Sequence, residues 1–126
     1  MYVHYNPNPN GSNIGDCVIR ALSFVLNLSW DDTYLELMQL GFKLKDMPSA
    51  NYVWGADLMN HGFVRYPLPD LCPSCYSVKE FCRDNPQGTF VLGTGSHVIA
   101  VMDGNYYDSW DSGNEVPSFV FVKGAV

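Results

Sequence analysis

Residues 97–111 read HVIAVMDGNYYDSWD. The apolar run 97–102 meets Asp103-Gly104, a dipeptide suited to the positive φ angles of a two-residue turn, and residues 105–110 lead back. The stretch is a predicted β-hairpin. With Asp103 and Gly104 at the two central positions, Met102 pairs with Asn105 and His97 falls opposite Trp110. Side chains alternate between faces along a strand, so positions 108, 110 and 112 share the face of His97. Asp108 then lies diagonally beside His97, while Asp111 points away. A three-residue turn would reverse that assignment.

Working outward, Thr89–Leu92 and Ser118–Val122 are predicted as the remaining strands of the last third. Upstream the period changes from two to three and four. Val18, Ala21, Leu22 and Val25 recur at helical spacing from Cys17 onward, with Asp16 at the natural N-cap. A second helix is predicted from about Trp30 to Leu44. Ser29 and Asp32 form a capping-box variant there, and Tyr34, Leu37, Met38 and Gly41 form its inner stripe. A third helix spans about Tyr52 to Asn60 and ends at Gly62. The prolines in residues 66–75 exclude regular helix, and Ser77 with Glu80 caps a helical turn or two through Arg83. Residues 1–16 offer a short strand at most, then a loop rich in Asn, Pro and Gly. Helices first and an antiparallel sheet afterwards predict an α+β fold, with residues 1–126 as a single domain.

Composition narrows the function. The 126 residues carry a formal charge of −6, and only seven are Lys or Arg. Nucleic-acid phosphates are gripped by clustered cations, so no nucleic-acid partner is expected. Eighteen aromatic side chains exclude a disordered polyelectrolyte. No apolar run approaches the roughly 20 residues that a bilayer requires, and the first ten residues lack the basic start and apolar stretch of a signal peptide. The expected location is therefore cytoplasmic, with no membrane partner.

Cys17 is set apart from the clustered Cys72, Cys75 and Cys82. It opens an amphipathic helix, where unpaired backbone N–H groups and the helix dipole favour negative charge and hence the thiolate. A base is available in His97, at the start of the hairpin, and Asp108 is placed to hold the imidazole. Each residue taken singly reads more readily as structural: a small buried thiol, or a histidine entering a strand. The order Cys, His, acid, on a first helix and a late hairpin, is that of an activated nucleophile.

On these residues the chain resembles a known group. Gly15-Asp-Cys17-Val-Ile-Arg-Ala-Leu-Ser, Ser29-Trp-Asp-Asp-Thr-Tyr, Ser77-Val-Lys-Glu-Phe-Cys-Arg-Asp-Asn-Pro and the segment from Ser96 to Gly113 are similar to small papain-like cysteine peptidase proteins of phages and prophages of gut bacteria. The resemblance covers roughly Asn10 to Gly113. It implies a papain-like fold, with N-terminal helices packed on a C-terminal sheet. It also implies Cys17 as nucleophile, His97 as general base and Asp108 as the group orienting it. Papain-like chains usually carry a Gln six positions before the cysteine to complete the oxyanion hole; Gly11 stands there in this chain. Asn13 is the candidate replacement, together with the Cys17 backbone N–H, or else a loop amide satisfying its own turn.

Two function classes follow. The first is a cysteine hydrolase acting on a peptide or protein substrate, or on a non-peptide one. The second is a phage-encoded protein that uses the cleft to bind a host factor or defence signal without turnover, in the host cytoplasm. Trp110 and Trp54 are candidate substrate-binding aromatics, although most aromatics here will be core or cross-strand pairs. No cofactor is expected. Cys72 and Cys75 have the spacing of half a zinc knuckle, with Cys82 or His61 as further ligands, but no second pair is present and no metal site is assigned. A Cys72–Cys75 disulfide ranks below zinc, and unbonded loop cysteines are the default.

Overall fold

The computed structural model describes residues 1–124. Among these the elements run β1 (Tyr2–His4), α1 (Cys17–Leu26), α2 (Trp30–Leu44), α3 (Asn51–Asn60), β2 (Phe63–Pro67), α4 (Val78–Asp84), β3 (Thr89–Gly93), β4 (Val98–Met102), β5 (Asn105–Asp108) and β6 (Phe119–Lys123). The α+β class is as expected, and residues 125–126 of the anticipated domain lie outside the described part. The strands form one sheet in the order β1-β5-β4-β3-β6-β2. Every neighbouring pair is antiparallel except β1 and β5, which run parallel. The sheet is therefore mixed, and the N-terminal segment expected to contribute little supplies its edge.

The central hairpin has the expected register, with Met102 opposite Asn105 and Ala100 opposite Tyr107. Asp103 and Gly104 take φ of 50° and 80°, the left-handed pair that a two-residue hairpin turn demands. Strand β4 is buried on both faces, which explains its unbroken apolar run. On one face Val98 and Ala100 meet Val18, Ala21, Leu22 and Val25 of α1, with Leu37, Val53, Trp54 and Leu58 beyond. On the other, Ile99 and Val101 meet Val78, Phe81 and Cys82 of α4. Helices thus cover both faces, not one.

Several local expectations change. Ser29 and Ser77 cap α2 and α4 through the N–H groups of Asp32 and Glu80, as predicted. Asp16 does not cap α1; no side chain does. The inner stripe of α2 keeps Leu37 and Gly41 of the predicted set, but Thr33 completes it, and Tyr34 and Met38 are exposed. Gly41 is required where it stands: a Cβ there would meet the Asp46 carbonyl oxygen at 2.7 Å. Trp54 is buried, not cleft-lining. It stacks on Phe119 and gives its indole N–H to Asn51 Oδ1. Cys72 and Cys75 are joined in a disulfide, against the expectation of free thiols, because the tight Cys-Pro-Ser-Cys turn brings their Cα atoms to 4.0 Å. That bond removes the half-knuckle, and Cys82 faces the core. Among the described residues no helix is long and apolar enough to cross a membrane.

Candidate active site

Packing of α1 across β4 sets the first turn of the helix above the start of the strand. Cys17 occupies that turn, and His97 immediately precedes β4. The turn before His97 is held by Thr94, whose hydroxyl accepts from the backbone N–H groups of both Ser96 (3.1 Å) and His97 (2.9 Å). The Thr94 N–H in turn donates to the His97 carbonyl at 2.8 Å. This closed arrangement fixes the backbone from which the imidazole projects.

His97 Nε2 donates to Asp108 Oδ2 at 2.6 Å. The ring nitrogen not engaged by Asp108 is therefore Nδ1. Asp108 is fully buried and accepts at every turn: from His97 and from Ser112 Oγ (2.6 Å) on Oδ2, and from Arg20 Nε (3.1 Å) and the Ser109 N–H (2.8 Å) on Oδ1. Its carbonyl is pinned by the Tyr5 N–H at 2.8 Å and the Tyr2 hydroxyl at 3.1 Å, so the parallel β1 strand anchors the acid. Asp111 points elsewhere, as expected, and takes the Tyr106 hydroxyl.

The group that sequence reading missed is Arg20. Its guanidinium is buried between Asp108 (2.9 Å) and Asp16 (2.7 Å). Asp16 Oδ2 also receives the indole N–H of Trp30 at 2.9 Å. An unbroken chain of charge-assisted bonds thus runs from Trp30 through Asp16, Arg20 and Asp108 to His97. The available signal was an arginine inside an apolar helix, four residues after an acid.

The charges shift the titrations in a consistent sense. Burial alone would raise the Cys17 thiol. The hydrogen bond and charge of His97, the Val98 backbone N–H and the charge of Arg20 outweigh burial and bring the thiol below its ordinary value. Burial alone would lower His97, yet its bonds to Asp108 and Cys17 raise it to about 9. Burial opposes ionisation of Asp108 too, but His97, Ser112 and Arg20 hold it below the usual carboxylate range. Opposite shifts of sulfur and ring favour a thiolate–imidazolium pair. By contrast, burial pushes Cys82 up to about 11.

No protein-family model, curated protein or solved structure matches this chain. The site therefore stands on its geometry.

Cys17, His97 and Arg20 open into a cleft of about 490 Å³ lined also by Asn13, Gly15, Ser96 and Trp110. Trp110 is 46% exposed and its ring lies 4.9 Å from that of His97, so it shields one side of the imidazole. Asn13 is exposed on the loop before α1 and lines the cleft. Since no side chain caps α1, the first N–H groups of the helix remain available to an anion beside the sulfur. A neighbouring hollow of about 280 Å³ shares Ile14 and Gly15 with the cleft. It is walled by Trp30, Tyr34 and Met47, which gives the misassigned Tyr34 a place.

Proposed function

We propose that the protein is a thiol hydrolase of papain-like type, cleaving a peptide, isopeptide or related amide bond. The observation that carries this reading is the 2.6 Å bond between His97 Nε2 and Asp108 Oδ2, with Cys17 and the His97 ring lining one cleft. The Cys17 thiolate attacks the substrate carbonyl. His97, protonated at Nδ1, delivers that proton to the leaving amine, and a thioester to Cys17 forms as the C–N bond breaks. Water, deprotonated by His97, then cleaves the thioester, releasing the carboxylic acid and restoring the thiol. Asp108 holds the ring and offsets its positive charge. The Cys17 N–H and the Asn13 amide serve the oxyanion, and the hollow beside the cleft seats an apolar side chain next to the reacting carbonyl.

Two measurements test this. Iodoacetamide should label Cys17 far ahead of the buried Cys82 in the native protein. His97→Ala should slow that labelling at neutral pH, roughly tenfold for each unit by which the thiol pKa rises. A mixture of denatured proteins and isopeptide-linked conjugates, analysed by mass spectrometry, should yield new termini that disappear with Cys17→Ala. Equal labelling of the two thiols together with no cleavage would reject the hydrolase. A second reading, binding of a host factor or defence signal in the cleft without turnover, is favoured by Asn13. No hydrogen bond among the described residues holds that amide in place for an oxyanion. Fast labelling of Cys17 with no cleavage, and a phenotype that survives Cys17→Ala, would select it.

A further inference from the structure

A second cluster of reactive side chains lies outside the Cys17 site. Glu36 on α2, Asp57 on α3 and His61 at the end of α3 bring two carboxylate oxygens and a ring nitrogen within 4.8 Å of one another. Asp57 and His61 stand at i and i+4, so both side chains leave the same helix face. Glu36 reaches them from the neighbouring helix. Its Oε2 is 2.9 Å from His61 Nε2, and Asp57 Oδ1 is 3.9 Å from the same nitrogen. The three line a cleft of about 390 Å³.

Asp57 makes this more than a surface cluster. It is only 3% exposed, and its Oδ2 has no hydrogen-bond partner. A buried carboxylate oxygen without a donor is costly, and the neighbouring Glu36 carboxylate repels it. Two carboxylates and one imidazole nitrogen converge without enough donors between them. Either a shared proton or a cation resolves that arrangement. Bonds of about 2.0–2.2 Å from a zinc-sized ion to N and O ligands set those ligand atoms roughly 3–4 Å apart, the spacing seen from His61 to the two acids. Lys43 also lines the cleft and opposes a cation, but it is exposed and its flexible stem lets the ammonium turn to solvent.

We infer that Glu36, Asp57 and His61 form a binding site for a divalent transition-metal ion of the Zn²⁺ class, which clasps α2 to α3. One imidazole with two carboxylates suits such an ion better than Mg²⁺ or Ca²⁺, and three protein ligands leave a coordination position for water.

The test uses tag-free Cys17→Ala protein, so that a thiol–imidazole pair does not compete, with the Cys72–Cys75 disulfide kept. After EDTA treatment and dialysis, ZnCl₂ is titrated calorimetrically and melting is followed. One equivalent should bind, and melting should rise by roughly 8–10 °C at about 100 times the dissociation constant. Asp57→Asn and His61→Asn should each abolish stoichiometric binding. Glu36→Gln, at a more exposed position that leaves the fold intact, should weaken it at least ~10-fold. Absence of binding, or binding unchanged in all three variants, overturns the proposal. So does an Asp57→Asn protein that melts higher without metal while zinc leaves the parent unmoved, since the cluster is then a proton-sharing pair. None of these readouts depends on whether Cys17 hydrolyses anything.

Discussion

Replacing Arg20 by methionine probes the buried network without touching a reacting atom. The arginine side chain is 5% exposed, and its partners Asp16 and Asp108 are 2% and 0% exposed. Removing one member of a buried ion pair strands the other, at about 3–5 kcal/mol. Here both carboxylates retain donors: Asp16 keeps Trp30 Nε1, and Asp108 keeps His97, Ser112 and the Ser109 N–H. The retained bonds place Arg20→Met at the lower end, about 3 kcal/mol. For a chain of this length that lowers the melting temperature by roughly 10–15 °C. The pH dependence supplies an independent check. The pKa of Asp108 is depressed in the folded state, so its contribution is present above the unfolded value and is lost as pH falls through the folded one. Loss of the Arg20 charge reduces that depression, so the stability gap between wild type and variant should narrow on acidification. Urea unfolding at neutral and acidic pH measures both quantities. A loss below about 1 kcal/mol, the level of exposed ion pairs, refutes a dry network. So does a gap that stays constant into the carboxylate range.

Three further outcomes follow from the same geometry. His97 is raised from 6.5 to about 9, so its contribution is complete below the unfolded value and lost as pH rises through the folded one. In Cys17→Ala, which removes the opposing titration of the thiol, urea stability should fall as pH rises above about 6.5; adding His97→Gln should flatten the curve. Thr94→Ala deprives two backbone N–H groups of their acceptor; it should cost about 1 kcal/mol and slow Cys17 alkylation, whereas an unchanged alkylation rate would show that the turn does not position the ring. Trp110→Ala, at an exposed position, should change unfolding free energy by no more than about 0.5 kcal/mol while shifting the pH profile of alkylation, and an unmoved profile would remove Trp110 from the site.

The reacting groups were legible because local rules place them. Asp103-Gly104 dictates a turn from its own backbone preferences, and the turn dictates the register that sets Asp108 beside His97 and sends Asp111 away. The Cys17 position follows from a change of period at the start of a helix. What holds these groups was harder to read, because it depends on chain segments far apart. Asp16 has the residue type and position of an N-cap, yet its carboxylate is taken by Arg20 and Trp30. Arg20 can afford burial in an apolar helix only because Asp108 waits 88 residues later. At the edges of the sheet the short N-terminal strand was legible but not its parallel pairing with β5, and β2, which buries Phe63 alone and shows no alternation, was missed because it exists through hydrogen bonds to β6. Trp54 marks the limit from the other side. Its indole N–H finds a partner three residues away on its own helix, so the ring enters the core at no polar cost, and composition alone does not separate it from Trp110. The difference between the two tryptophans is where the sheet is: Trp54 projects from α3 onto Phe119 and Phe121, while Trp110 lies beyond the last paired residue of β5 and, among the described residues, has only His97 to stack on.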